Sequence, residues 1–336
     1  AVDYGREEIR GLALSYIEEV CKKYDVDGVE LDFFRHPGFF HGPARGFAAT
    51  GGEIEMMSDL IRSVRRMMDE EGEKRGRPFL LAVRAPDSVE YCRTIGLDIE
   101  GWFAEDLVDL YIPAAYIRLN PWSRIVALAH RYGVRVYPAL DESRVPEPGT
   151  DDVNTGTFTR PRSAYETYRA RASEVWASGA DGVYLYNYFN PDSPILREIG
   201  DPRQLARLDR TYFASYLGAA RIAGDGYPHE PFMQIPALNP LAPVPVYPGE
   251  TEVVPVGIYS STGEAADLVL DFRAPVEDED LVVTFNGLRL SAVTLDGTRA
   301  KAALPKENTR IGMNYVEVGN VSEREIVLTD CRIRVR

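Results

Sequence analysis

Five short apolar runs separated by helical segments constrain the fold of this chain more than any other feature. The runs occupy residues 27–34, 79–86, 108–117, 134–142 and 181–189. Apolar residues at helical spacing fall at 6–24, 53–74, 122–132 and 161–178. Apolar strands that alternate with helices are typical of a parallel sheet covered by helices, because both faces of such a sheet are buried. We therefore predict an α/β fold for this part of the chain.

A weak internal repeat favours one α/β architecture. The segments DGVELDFF and DGVYLYNYF begin at Asp27 and Asp181. They lie about 150 residues apart, which fits four βα units of a (β/α)8 barrel at roughly 250 residues for eight units. The alternative is a doubly wound open sheet, but no Gly-rich phosphate loop follows any strand, so no dinucleotide cofactor is predicted. Only five units are visible, and we expect the first three barrel strands to lie upstream of residue 1.

The composition changes near residue 223 and indicates a second domain. Seven prolines fall between residues 227 and 249, which is typical of a linker. Short alternating runs follow, and Asn286-Gly287 is a hairpin turn signal within them. We predict a barrel portion at 1–222, a Pro-rich linker at 223–249 and an all-β sandwich domain at 250–336.

The charge balance and the small numbers of Cys and His exclude several classes of protein. Lys and Arg total 38 against 52 Asp and Glu, a net charge of −14. Nucleic acids and anionic membrane surfaces require a basic footprint, so neither is a predicted partner. No run of about 18 apolar residues occurs, so no membrane insertion is predicted. Three Cys, none close to another, and four His form no metal-site pattern.

The first predicted strand carries two acids on one face. Side chains alternate along a strand, so Glu30 and Asp32 share a face and the apolar residues between and beside them share the other. If the apolar set packs on the helices, both acids point into the barrel, with Asp32 nearer its mouth. Buried carboxylates are costly unless they are hydrogen-bonded or meet a ligand. The alternative is that Glu30 merely pairs with a basic residue such as Arg84.

The segment DGVELDFFRH, which ends at His36, resembles the fourth-strand motif of barrel glycoside hydrolases. In the alpha-amylase clan that motif reads roughly Gly-Phe-Arg-Leu-Asp-Ala-x-Lys-His. The resemblance implies that Asp32 is the nucleophile, although Glu30 stands where that clan has Arg. The chitinase pattern Asp-x-Asp-x-Glu also aligns, and it places Phe34 at the position of its catalytic Glu.

Over most of its length the chain also resembles bacterial proteins described as family-10-glycosylhydrolase-like. The matching features are the VDY and EIR pieces of the lead-in at 2–10, the strand DVDGVELDF, and a β tail that contains Asn286-Gly287. The resemblance implies a barrel fold and a carbohydrate partner without naming the sugar, since a shared fold does not transfer function.

Cleavage of a glycosidic bond typically needs two carboxyl groups, one ionised and one protonated. Asp141 and Glu142 end the apolar run at 134–142, which places at least one of them at the barrel mouth opposite residues 27–34. We expect Glu142 or Asp141 to be the general acid/base. The alternative is that both begin an exposed loop. Asp87, just past the 79–86 strand, is a further candidate.

Side chains suited to sugar recognition surround these acids. Aromatic rings stack on the C–H faces of sugars, and Tyr hydroxyls form hydrogen bonds with sugar hydroxyls. Arg binds carboxylates bidentately, so acidic sugars are also possible ligands. Core packing is the alternative for the aromatic residues. The predicted substrate-binding residues are Arg35, His36, Phe34, Arg84, Asp87, Tyr116, Trp122, Tyr184, Tyr186 and Asn187.

The sequence therefore predicts a glycoside hydrolase that uses Asp32 as nucleophile or charge stabiliser, without a metal or cofactor. A non-catalytic carbohydrate-binding protein on an enzyme fold is the alternative, and the Glu at position 30 and the Phe at position 34 favour it. A barrel lyase or aldolase is a third possibility. Between Tyr24 and the linker the sequence has one Lys, Lys74, in a helical segment, which disfavours Schiff-base chemistry.

Overall fold

A computed structural model of the protein describes residues 2–34, 36–113, 118–141, 162–216, 228–260 and 265–336. The fold is mixed α/β and divides into two compact units. The first unit contains Ala1–Ala139, Ser178–Tyr184 and Arg221–Ile235. The second contains Leu140–Ala177, Leu185–Ala220 and Pro236–Arg336.

Helices and parallel strands alternate through most of the first unit. Its elements are α1 (Glu7–Lys23), β1 (Gly28–Asp32), α2 (Gly51–Arg75), β2 (Leu80–Ala85), α3 (Val89–Thr94), α4 (Ile99–Ala104), β3 (Leu110–Pro113), α5 (Trp122–Arg131) and β4 (Arg135–Val136). The four strands form one parallel sheet in the order β1-β2-β3-β4, so their order in space follows their order in the chain.

The two faces of this sheet differ in character because side chains alternate along each strand. One face is apolar, and its Leu81, Val83 and Tyr111 side chains are fully buried. The opposite face carries the acids of β1. The entry to β1 requires glycine, because a Cβ at Gly28 would lie 2.2 Å from the Leu80 carbonyl oxygen. In the register of β1 and β2, Asp32 lies opposite Arg84.

The start of α2 is held by a capping box. The Glu53 backbone N–H donates to Thr50 Oγ1 (3.2 Å), and the Thr50 backbone N–H donates to Glu53 Oε2 (2.7 Å). These two bonds satisfy donors that the first turn of a helix otherwise leaves unpaired.

We expect Thr50→Ala to lower the free energy of unfolding by about 1 kcal/mol, because it removes this N-cap acceptor. Urea denaturation would measure the change, with Thr50→Ser as the matched control that keeps the hydroxyl. A Thr50→Ala protein as stable as Thr50→Ser would show that the box contributes nothing.

The second unit contains short helices and two antiparallel sheets. The remaining elements in chain order are β5 (Ala139–Leu140), α6 (Tyr165–Ala177), β6 (Tyr184–Leu185), α7 (Ile195–Glu198), α8 (Pro202–Leu205), β7 (Arg210–Phe213), β8 (Val244–Val246), β9 (Thr251–Ile258), β10 (Ala266–Phe272), β11 (Leu281–Phe285), β12 (Leu288–Arg289), β13 (Thr294–Asp296), β14 (Arg299–Leu304), β15 (Gly312–Asn320) and β16 (Ile326–Val335). One sheet has the order β13-β14-β10-β16-β7, with β8 also paired to β16, and the other has the order β12-β11-β15-β9.

One hydrophobic cluster draws on both of these sheets. It includes Val256 and Phe285 from one sheet and Leu268 and Leu328 from the other, all buried. The predicted turn at Asn286-Gly287 is confirmed: β11 and β12 pair on either side of it, and both residues have positive φ (48° and 81°), as a type I′ turn requires.

Several element boundaries differ from the prediction for identifiable reasons. The run at 134–142 forms two short strands, β4 and β5, with Pro138 between them, and Pro lacks the N–H that a strand interior needs. The run at 181–189 forms only β6, because Asn187 adopts a left-handed φ of 53°. Helices α3 and α4 were not predicted.

Two strands that precede residue 250 pair with β16, the last strand of the chain. They are β7, within the predicted barrel portion, and β8, within the predicted linker. Pro245 is tolerated in β8 because its only described strand partner is β16. The domain boundaries at 222 and 249 stay a prediction.

Candidate functional site

The candidate site of the first unit begins with the two acids of β1. Glu30 and Asp32 lie two residues apart on one strand and therefore share a face of the sheet. Both side chains are partly open to solvent, with 33% of the Glu30 side chain and 38% of the Asp32 side chain exposed. Asp32 is the last residue of the strand, at the carboxyl end of the parallel sheet.

Arg84 of β2 lies between the two acids and is fully buried. Its Nη2 donates to Asp32 Oδ2 at 2.5 Å, and its Nε lies 3.9 Å from Glu30 Oε1. The Phe34 backbone N–H donates to Asp32 Oδ1 (2.9 Å), and the buried Phe34 ring centroid lies 5.7 Å from the Arg84 guanidinium carbon. The bond between Arg84 and Asp32 is charge-assisted, a type that is shorter and stronger than a neutral hydrogen bond.

Glu30 has a different environment. The Tyr184 hydroxyl donates to Glu30 Oε1 at 3.3 Å. Burial raises the pKa of the Glu30 carboxyl, and the hydrogen bond from Tyr184 and the charge of Arg84 offset this only in part. Burial also raises the pKa of the Tyr184 hydroxyl, and the negative charge of Glu30 adds to the effect.

The two acids therefore have different environments: Asp32 is bonded to Arg84, whereas burial raises the pKa of Glu30. Two acids held in different protonation states are the requirement for acid-assisted cleavage of a glycosidic bond. Arg84 lies within ion-pair distance of both acids, closer to Asp32 (2.5 Å) than to Glu30 (3.9 Å), so the alternative in which Glu30 merely pairs with Arg84 stays open.

Asp87 lies just beyond the carboxyl end of β2 and is buried. Its oxygens accept bonds from two backbone N–H groups, that of Leu119 (3.0 and 3.1 Å) and that of Asn120 (3.0 Å). Burial raises the pKa of Asp87 to about 6, although these bonds favour the charged form. Asp87 thus ties the segment after β3 to the end of β2.

The raised pKa of Asp87 predicts a stability that depends on pH. Below its ordinary pKa of 3.8 the carboxyl is protonated in both states, and between 3.8 and about 6 the folded state holds the proton more firmly. The free energy of unfolding should therefore fall by about 3 kcal/mol as the pH rises through this window.

Asp87→Asn should lack this dependence, because Asn does not titrate and keeps one acceptor oxygen. Urea unfolding of both proteins at about pH 4 and about pH 7 isolates the contribution of the single carboxyl. Equal pH dependence in the two proteins would contradict the assignment.

Other predicted site residues occupy varied positions in the first unit. Trp122 begins α5 and is buried, with the Arg118 guanidinium carbon 4.0 Å from its ring centroid. Phe34 is likewise buried, whereas His36 is exposed. The side chain of Tyr184 contacts an acid of β1, because its hydroxyl donates to Glu30.

Three predicted residues belong to the second unit. Asp141 is buried, and Arg171 Nη2 lies 3.4 Å from its Oδ1 while Arg171 Nη1 donates to its backbone oxygen at 2.5 Å. The Tyr186 N–H donates to Leu140 O at 2.9 Å, and Asn187 is exposed. The predicted residues Arg35, Tyr116 and Glu142 lie outside the described residues.

Sequence reasoning missed the partners of Asp87. Leu119 and Asn120 follow β3, and Asn120 precedes Pro121 at the start of α5. The sequence offered one signal for this contact, namely Asn120, a polar residue shortly after a predicted parallel strand. The carboxyl ends of parallel strands lie at the same edge of the sheet, so polar residues that follow them lie close together.

Within the described ranges, no three or more His, Cys, Asp or Glu side chains are grouped so as to hold a metal ion. No helix in the part of the chain that the structure describes is both long enough and apolar enough to span a bilayer.

No protein-family model matches the chain, and no curated protein matches it in sequence. Among solved structures the chain is similar to a glycoside hydrolase family 18 N-acetylglucosaminidase from Paenibacillus barengoltzii, at 16% identity and a TM-score of 0.37, over 55% of this chain and 73% of that one.

Two further similarities extend over nearly the whole chain. A chitinase from Paenibacillus sp. str. FPU-7 matches at 12% identity and a TM-score of 0.41, over 98% of this chain and 42% of that one. A Cellulomonas fimi endo-beta-1,4-mannanase double mutant matches at 11% identity and a TM-score of 0.35, over 96% of this chain and 69% of that one. Similarities this distant do not assign a function.

Proposed function

We propose that this protein is a glycoside hydrolase that cleaves an oligo- or polysaccharide with Glu30 and Asp32. The observation that carries the proposal is the placement of these acids around one buried guanidinium, with both side chains one third or more open to solvent. Both acids are therefore open enough for a substrate to contact them. Clefts that hold acids in unequal environments are candidates for catalytic sites.

In the proposed reaction Glu30 is the general acid. Its proton passes to the glycosidic oxygen as the bond between that oxygen and the anomeric carbon breaks. Asp32, which is bonded to Arg84, stabilises the positive charge that develops on the sugar ring. A water molecule then adds to the anomeric carbon and returns a proton to Glu30.

We further propose that β1–β4 belong to a (β/α)8 barrel. A doubly wound sheet reverses its strand order, whereas the order of these four strands follows the chain. Tyr184 supports the same architecture. It follows β4 in the chain, and its N–H donates to Pro138 O (3.1 Å), yet its hydroxyl contacts Glu30 on β1. β1 and β4 are the two outer strands of the four-stranded sheet. A contact between β1 and the chain that follows β4 is expected if the sheet curves towards a closed barrel.

The remaining features of the proposal concern the rest of the chain. The two antiparallel sheets with a common core are proposed to form a β-sandwich accessory domain. The general acid/base role predicted for Glu142 or Asp141 stays an untested alternative to Glu30. The substrate-binding roles of Arg35, His36, Tyr116, Trp122, Tyr186 and Asn187 stay proposals.

A non-catalytic carbohydrate-binding protein is the second candidate, and one observation favours it. Both oxygens of Asp32 already accept hydrogen bonds, one from Arg84 and one from Phe34. Phe34 also occupies the position of the catalytic Glu in the chitinase pattern. A carboxylate held in this way could bind a sugar hydroxyl without entering a reaction.

A panel of aryl glycosides and reducing-end-labelled oligosaccharides separates the two candidates. The hydrolase proposal requires product release from at least one substrate, measured alongside binding by calorimetry. Oligosaccharide binding without any turnover would establish the binding protein instead. Turnover that is unchanged in Glu30→Gln would remove Glu30 from the proposed reaction.

A further inference from the structure

The two side-chain oxygens of Glu30, the proposed general acid, have different surroundings. The Tyr184 hydroxyl donates to Oε1 at 3.3 Å, and Arg84 Nε lies 3.9 Å from the same atom. Among the residues that the structure describes, none forms a hydrogen bond or an ion pair with Glu30 Oε2. Because the side chain is partly exposed, Oε2 is the oxygen that is left to meet a substrate.

This difference decides which oxygen holds the proton when the carboxyl is neutral. A guanidinium is positively charged and only donates hydrogen bonds, so a proton on Oε1 would face a donor and a like charge. In its carbonyl form Oε1 keeps two lone pairs for the donors that surround it. The proton of neutral Glu30 is therefore favoured on Oε2.

The backbone of Tyr184 is held at the place from which its side chain reaches Glu30. The Tyr184 N–H donates to Pro138 O at 3.1 Å. Three residues earlier, the Asp181 N–H donates to Val136 O at 3.0 Å, and Asp181 Oδ2 accepts the Val136 N–H at 2.8 Å. These bonds fix the segment 181–184 against β4 and the residues that follow it. A functional group is positioned most precisely when rigid elements hold the residues that contact it.

The hydroxyl of Tyr184 is suited to act as a lasting donor. Burial raises its pKa, and the negative charge of Glu30 raises the pKa further, so the hydroxyl keeps its proton. The bond to Glu30 is longer than the roughly 2.7–2.8 Å that is usual between two oxygens. Catalytic hydrogen bonds are often long before a substrate binds and shorten in the complex.

We propose that Tyr184 is a positioning residue: its hydroxyl holds Glu30 Oε1 as an acceptor and so keeps the transferable proton on Oε2. The inference rests on the proposed hydrolase function and adds the atom from which the proton leaves. During cleavage the Oε2–H bond breaks and an O–H bond forms on the glycosidic oxygen, which also keeps the electron pair of the broken C–O bond. The carboxylate that remains retains the bond from Tyr184. This role differs from the direct contact with substrate that the sequence predicts for Tyr184.

The groups that act on Glu30 belong to three strands: Arg84 on β2, Tyr184 on β6 and Asp32 on β1. Burial raises the pKa of the Glu30 carboxyl, the hydrogen bond from Tyr184 and the charge of Arg84 lower it, and the charge of Asp32 raises it. Loss of the bond from Tyr184 should therefore raise the pKa of Glu30 further, because that bond favours the charged form.

Tyr184→Phe in the full chain tests the proposal, because it removes the hydroxyl and keeps the ring. Carboxyl-carbon NMR of isotope-labelled Glu, with the Glu30 signal assigned from Glu30→Gln, gives the pH at which Glu30 is half protonated. This midpoint should move to higher pH in Tyr184→Phe. Tyr132→Phe is the matched control and should leave the midpoint unchanged, because the Tyr132 hydroxyl also donates to a Glu, at Glu100 Oε1, over 3.3 Å. An unmoved midpoint in Tyr184→Phe, or an equal shift in both variants, overturns the proposal.

Kinetics separate a positioning role from a contact with the substrate. Tyr184→Phe should lower kcat for aryl-glycoside hydrolysis by roughly 2–10-fold, which is the effect of one hydrogen bond, and leave KM almost unchanged. The pH above which kcat/KM declines should also rise, because Glu30 has to be protonated to act. A raised KM with unchanged kcat overturns the proposal, because it would mark Tyr184 as a substrate contact. Absence of turnover in the unaltered protein refutes the hydrolase proposal instead, and the NMR midpoint still tests the bond from Tyr184 by itself.

Discussion

Asp32→Asn should lower kcat/KM for aryl-glycoside hydrolysis by about 10³-fold, within the range expected when one charged group of a catalytic pair is neutralised. Asn keeps the shape of Asp32 and can still accept the bond from Phe34 N–H. It cannot stabilise positive charge on the sugar, so the loss should appear mainly in kcat. Initial rates over a range of substrate concentration would measure it.

Asp109 provides a matched control for this substitution. It is exposed to nearly the same extent, 39% against 38%, and it pairs with Arg65 (3.0 Å) as Asp32 pairs with Arg84 (2.5 Å). It also accepts a backbone N–H, that of Leu81 (2.7 Å). Asp109→Asn should therefore reproduce the structural consequences of losing an ion pair and leave kcat/KM unchanged. Equal activity in Asp32→Asn and Asp109→Asn would mean that Asp32 has only a structural role.

Asp330→Leu should lower the free energy of unfolding of the second unit by about 3–5 kcal/mol, because it leaves a buried guanidinium without its counter-charge. The Arg162 and Asp330 side chains are almost completely buried and form two parallel bonds of 2.8 and 2.7 Å. Arg162 Nε also donates to Ser215 O at 3.0 Å. Urea unfolding, followed by circular dichroism, would give the change.

The exposed pair between Arg336 and Asp267, at 2.8 Å, is the matched control. Asp267→Leu should cost less than about 1 kcal/mol, because solvent screens an exposed pair. The double variant Arg162→Met/Asp330→Leu should recover part of the stability lost in Asp330→Leu, since it removes the stranded charge. A loss in Asp330→Leu as small as that in Asp267→Leu would contradict this account of the second unit.

Three helices of the first unit were predictable, because the helical spacing of their apolar residues and the polar residues at their ends indicate the same boundaries. The predicted segments at 6–24, 53–74 and 122–132 differ by at most two residues at either end from α1, α2 and α5. Strand alternation likewise predicted that Glu30 and Asp32 share a face. The register that places Arg84 opposite Asp32 was not predictable, because the pairing of strands that are distant in the chain depends on tertiary contacts.

The internal repeat has a physical basis that the sequence alone does not display. In both Asp-Gly pairs the glycine packs closely against a neighbouring group. Gly28 lies against the Leu80 carbonyl, and a Cβ at Gly182 would lie 2.6 Å from the Tyr137 ring. The similarity did not extend to strand length, because Asn187 turns the chain after β6. The bonds between Asp87 and the segment after β3 also escaped prediction, since they join loops whose path depends on tertiary contacts.

The central claim is that Glu30 donates the proton to the leaving group, and the leaving-group dependence of Glu30→Gln tests it most directly. A substrate with a dinitrophenyl leaving group needs no protonation, whereas one with a methylphenyl leaving group does. Glu30→Gln should hydrolyse the first nearly as fast as the unaltered protein and the second about 10²–10⁴-fold more slowly. Equal losses on both substrates, or no loss on either, would contradict the assignment.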